Sequence, residues 1–121
     1  MSLCILAAAK TSVVAASLFT LSWAHSVEKI EWQEDWKIEN SHLEIIEARV
    51  QGSGAGMDPP EGSKLKQGWW TYKPNQIKVK ELLLSTSDTN LENWKICFNG
   101  NCQILKKNNE NPIKLYPCKS N

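Results

Sequence analysis

Between Phe19 and Ile38 apolar and polar side chains alternate in two consecutive runs. In FTLSWAHSV, Phe19, Leu21, Trp23, His25 and Val27 fall on one side of an extended chain, with Thr20, Ser22, Ala24 and Ser26 on the other. In IEWQEDWKI, Ile30, Trp32, Glu34, Trp36 and Ile38 share one side. A period of two is the mark of strands that bury one face. Folded as a hairpin around Glu28 and Lys29, the runs set His25 opposite Trp32 and Glu34 opposite Trp23. An ionisable pair on an aromatic face needs a partner, because an unpaired buried charge is costly. The pair is therefore either a site or a structural lock.

The same reading extends along the chain. Leu3 to Leu6 predicts a short strand, Ala7 to Thr11 a connection, and Ser12 to Leu18 part of a second strand. HLEIIEARV (His42 to Val50) fits a strand or a short helix about equally, and its flanking strands favour a strand. Gln51 to Lys66 reads as a long loop, because no regular element passes through Pro59-Pro60. Gln67 to Tyr72 and Ile77 to Ser85 read as further strands. Trp94 to Leu105 holds Asn99-Gly100, the preferred dipeptide of a two-residue type I′ hairpin, which sets Cys97 opposite Cys102 in a non-hydrogen-bonded pair. A cross-strand disulfide fits there sterically, with two reduced thiols as the alternative. A Cys4–Cys118 link has no comparable local support. Lys106 to Asn121, polar and carrying Pro112 and Pro117, reads as a C-terminal tail, leaving 1–105 as a single β domain. The expected fold is all-β, a small antiparallel sandwich or partly closed barrel of six to eight strands.

Composition narrows the function classes. With 14 basic and 13 acidic residues in 121, neither sign clustered, the chain does not look like a nucleic-acid binder. Six tryptophans are many for this length, and each indole N–H wants an acceptor. Zinc is disfavoured, since the Cys97/Cys102 spacing has no second ligand pair, and no cofactor is expected. The run Gly52-Ser53-Gly54-Ala55-Gly56-Met57 invites a phosphate-loop reading, but Asp58-Pro59-Pro60 follows and no helix opens. A tight glycine turn near Trp69 or Trp70 is the better account. Before Ala24 the only positive side chain is Lys10, which interrupts the apolar run, so the N-terminus makes neither a convincing signal peptide nor a spanning helix. Cleavage near Ala24, giving a periplasmic protein, is the alternative. Arg49, the only arginine, is placed to pair bidentately with Glu34 or Glu47.

The motifs LSWAHSVEKIEWQEDWKI, RVQGSGAGMDPPEG, GWW and WKICFNGNCQIL, in that order, resemble the bacterial domain-of-unknown-function family eighteen-fifty, over Leu3 to Leu105. The resemblance implies two strands before the His-Ser-Val motif and recurring positions at His25, Ser26, Glu34, Gly54, Gly56 and Met57. This chain departs from it at Ala24 and Ile30, where threonine is usual. No activity is established for the family. The context it implies is membrane-associated: an accessory to a tripartite ATP-independent periplasmic (TRAP) transporter using the TAXI type of solute receptor, with the permease or that receptor as partner. The expected function is a non-enzymatic binding module whose groove is shaped by His25, Ser26, Glu34 and the Gly54–Gly56–Met57 loop near Trp69 and Trp70. The alternatives are a hydrolase or isomerase using His25 and Glu34, and a structural envelope protein held by Cys97–Cys102. Side of the membrane, ligand and oligomeric state are not specified by these features.

Overall fold

The computed structural model describes residues 2–24, 29–52, 61–75, 77–86, 92–106 and 111–119. These residues form twelve strands: β1 (Ser2–Ala7), β2 (Lys10–Ala15), β3 (Leu18–Ala24), β4 (Glu31–Ile38), β5 (Leu43–Gln51), β6 (Lys64–Lys66), β7 (Trp69–Tyr72), β8 (Lys78–Val79), β9 (Leu82–Leu84), β10 (Trp94–Phe98), β11 (Asn101–Leu105) and β12 (Ile113–Cys118). They make two antiparallel sheets, one of four strands in the order β2-β1-β12-β9 and one of eight in the order β11-β10-β3-β4-β5-β7-β6, with β8 also on β5. Neither closes into a barrel, so the sandwich expectation holds. The strand number exceeds six to eight because β6, β8 and β9 are only two or three residues long, and because β12 lies in a segment read as tail.

Three hairpins turn on two residues that both have positive φ, as a type I′ turn requires. They are Ala8-Ala9 (52° and 64°), Gln67-Gly68 (50° and 86°) and Asn99-Gly100 (52° and 80°). Strand alternation then decides burial. From the small sheet Leu3, Ile5, Leu84, Ile113 and Leu115 pack against Phe19, Leu21, Trp36, Ile38, Leu43, Ile45 and Ile96 of the large one. In β5 the buried positions change parity, from Leu43 and Ile45 to Ala48 and Val50. A bulge explains this: Asp35 pairs with Glu47 but Trp36 pairs with Ile45, so Ile46 is the extra residue and is left 40% exposed.

The C-terminal reading needs correction. Residues 106–121 do not form a tail throughout, because β12 lies between β1 and β9 with Ile113 and Leu115 fully buried. Pro117 is tolerated there because β9 pairs only with Ile113 to Leu115, so beyond that point one edge of β12 has no described neighbour. A Cys4–Cys118 disulfide, Cα–Cα 5.8 Å, joins β12 to β1. The N-terminal strands are likewise structural, with Leu3 and Ile5 in the core.

Candidate functional site

The β3–β4 register differs by two residues from the one the alternation suggests. Trp23 pairs with Trp32, and Glu34 with Leu21 rather than Trp23. A shift of two keeps every side chain on its own face, and this one lets the Trp23 and Trp32 rings stack, 6.3 Å apart and 5° from parallel. Trp94 adds a tilted contact to Trp23 at 5.2 Å, its indole N–H donating to the Ser85 carbonyl at 2.8 Å.

Antiparallel registers align cross-strand neighbours into rows on a sheet face. On the core-facing side one row runs Trp23, Trp32, Val50, Trp70, and the next runs Leu21, Glu34, Ala48, Tyr72. Leu21, Ala48 and Val50 are buried, whereas Trp23, Trp32, Glu34, Trp70 and Tyr72 keep partial exposure at one end of the large sheet. Glu34 therefore presents a carboxylate among aromatic rings. Burial pushes its carboxyl above the ordinary range, opposed only by the Trp36 indole N–H donating to Oε1 at 3.1 Å. Burial also raises the Tyr72 hydroxyl, and the Glu34 charge adds to that effect. Such an arrangement suits recognition: the rings offer apolar area and π faces, and the carboxylate offers one charged acceptor.

The opposite face carries a closed polar network. Arg49 grips Asp35 with two nitrogens, at 2.7 and 3.0 Å, and donates to Glu47 at 2.8 Å and to Gln33 at 3.0 Å. Thr20 donates to Asp35 at 2.7 Å and Gln33 to Glu31 at 2.6 Å. Of the two expected partners of Arg49, Glu47 is found; Glu34 is not, because it points through the sheet to the other side. Burial alone would raise Asp35, but the hydrogen bonds from Arg49 and Thr20 and the Arg49 charge outweigh it and hold the carboxyl low. A carboxyl depressed in the fold contributes stability that is present above its unfolded value and lost as pH falls through its folded one. Arg49→Ala should therefore cost about 1 kcal/mol at neutral pH, because solvent screens these part-exposed charges. It should also flatten the acid limb of stability below the ordinary Asp value of 3.8. Urea unfolding across that range checks both.

The sequence-derived site is only partly assembled among these residues. His25, Ser26, Gly54, Gly56 and Met57 lie outside the described residues. Trp70 shares the Glu34 face, but Trp69 pairs with Gln51 on the Arg49 face, so the two tryptophans cannot line one groove on one side of the sheet. Gly52 donates its N–H to the Gly68 carbonyl at 3.2 Å, which holds the start of the glycine-rich loop beside the β6–β7 turn. Alternation alone sets Trp23 and Trp32 on the Glu34 face, whereas Tyr72 joins the site through the β5–β7 register, a signal absent from strand periodicity. Among the described residues no group of three or more His, Cys, Asp or Glu is arranged to hold a metal ion.

The model of the family described as Domain of unknown function (DUF1850) matches residues 19–105, beginning at Phe19 rather than Leu3. The matched span takes in the large sheet from Phe19 onward, with the aromatic rows, Glu34 and Cys97–Cys102; β1, β2 and β12 lie outside it. No curated protein and no solved structure matches the chain. With more than half of its length matched, the chain belongs to the DUF1850 family.

Proposed function

We propose that this chain is a non-enzymatic binding or accessory domain that works with a TAXI-type TRAP transporter, engaging the permease or its solute receptor through the Glu34 face. The observation that carries the binding reading is a half-exposed carboxylate held among Trp23, Trp32, Trp36, Trp70 and Tyr72, within the family-matched span. The transporter context comes from the resemblance of the ordered motifs. Two disulfides favour an oxidising compartment, hence the periplasmic side. No helix among the described residues is long and apolar enough to cross a membrane.

The test is solute uptake by cells lacking the protein and complemented with variants. Loss of the protein should lower uptake, and Glu34→Gln should fail to restore it, by roughly tenfold if one charged contact is lost. The purified variant should remain folded, because the substitution keeps the shape and removes a desolvated charge. Normal uptake without the protein removes the transporter link. Full rescue by Glu34→Gln removes the site.

A further inference from the structure

We propose that Cys97–Cys102 is a thiol–disulfide exchange site for a dithiol protein of the thioredoxin class, while Cys4–Cys118 is an inert structural bridge. The four cysteines of the chain form two bridges of opposite character. Cys4 is 5% exposed and Cys118 half-buried, on the two inner strands of the small sheet, and their bridge spans 114 residues. Cys102 is exposed and Cys97 half-buried, on the hairpin ending at the edge strand β11, and their bridge spans 5 residues. Exposed bridges are the reducible ones, because exchange needs a thiolate to reach a sulfur from outside. Little chain entropy is released when so short a loop opens.

The surroundings suit a visiting protein. On the face turned away from the core, one row runs Cys102, Cys97, Thr20, Asp35. Beside it lies a cleft of about 440 Å³ lined by Leu18, Thr20, Asp35, Ile46, Cys97 and Phe98. Leu18 is 54% and Ile46 40% exposed, giving an apolar rim that a partner can cover. Asp35, the carboxylate in that row, is paired with Arg49, which it shares with Glu47, so its repulsion of an incoming thiolate is reduced.

The exchange balances with the dithiol as reductant. Its thiolate attacks Cys102 Sγ, the Cys97–Cys102 bond breaks, and the Cys97 thiolate leaves and takes a proton. The dithiol's second thiolate then attacks its own sulfur in the mixed disulfide, releasing Cys102. Two electrons and two protons pass to the chain, and the partner leaves oxidised. The hairpin should survive the change, since the burial of Trp94, Ile96 and Leu105 and the 2.9 Å hydrogen bond from Asn99 Nδ2 to the Ala15 carbonyl do not depend on the bridge.

The oxidised full chain is incubated with thioredoxin, its reductase and NADPH, quenched with an alkylating agent, and mapped by peptide mass spectrometry. Cys97 and Cys102 should be alkylated roughly tenfold or more faster than Cys4 and Cys118, with the near-ultraviolet circular dichroism of the folded protein retained. A thioredoxin lacking its second active-site cysteine should be trapped on Cys102. Equal reduction of both bridges, prior reduction of Cys4–Cys118, resistance of Cys97–Cys102 until the protein unfolds, or trapping elsewhere would each overturn the proposal.

Discussion

A chain ended at Lys106 should lose cooperative unfolding altogether. Its circular dichroism should show no sigmoidal thermal transition, where the full chain shows one. The cut removes β12 from between β1 and β9, and with it two fully buried side chains, Ile113 and Leu115. Each is worth about 1.5–3 kcal/mol of burial. It also removes the Cys4–Cys118 bridge, whose loop of 114 residues is worth about 4–5 kcal/mol in the chain-entropy picture. The acceptor of the buried Thr86 hydroxyl, the Asn111 carbonyl, goes too. Together these losses rival the roughly 5–15 kcal/mol that holds a domain folded. Cys4→Ser with Cys118→Ser is the graded version: the chain should fold, with its midpoint lowered by roughly 15–25 °C. A truncated chain that still melts sharply would return residues 106–121 to the status of a tail.

Trp36→Ala should cost about 3–5 kcal/mol in urea unfolding, the usual range for emptying an aromatic core position. Trp36 is 3% exposed among Phe19, Ile45 and the other core residues of the large sheet. Trp36→Phe separates packing from polar support. It keeps a ring in the core but removes the N–H that bonds Glu34. The Glu34 carboxyl, already raised by burial, should then rise further. The sign follows from linkage: a carboxyl raised in the fold favours folding below its unfolded value, and that advantage is lost as pH climbs through its folded value. The Trp36→Phe deficit should accordingly be larger at about pH 7 than at about pH 4. A deficit independent of pH would mean that the indole N–H does not support the Glu34 charge.

Strands with strict alternation and a strong turn were legible in the chain. FTLSW and EWQEDWKI show their buried faces directly, and Asn99-Gly100 fixes both a hairpin and the opposition of Cys97 to Cys102. Register was not, because a slide of two residues leaves each face unchanged; ring stacking of Trp23 on Trp32 is a tertiary choice. HLEIIEARV looked ambiguous for a physical reason, since the bulge at Ile46 breaks the period of two inside one strand. Ala8-Ala9 and Gln67-Gly68 carry weaker turn chemistry than Asn99-Gly100, although they adopt the same positive-φ pairs. β12 was hidden by Pro112, Pro117 and the polar run before it, and its place rests on partners more than a hundred residues away in β1. The Glu34 face was legible as a carboxylate on an aromatic strand. That Asp35, next to it, holds Arg49 became visible only once Gln33, Asp35, Glu47 and Arg49 were set side by side across two strands.

On the proposed function, the core-facing end of the large sheet, rather than its polar face, is what this domain offers a partner. Glu34 and Trp69 lie on opposite faces of the same sheet, so one comparison decides it. Uptake should be measured in cells lacking the protein and complemented either with Glu34→Gln or with Trp69→Ala, at matched protein levels. Trp69→Ala should restore uptake and Glu34→Gln should not. Restoration by Glu34→Gln with failure of Trp69→Ala would overturn the Glu34 face and move the working surface to the Arg49 side.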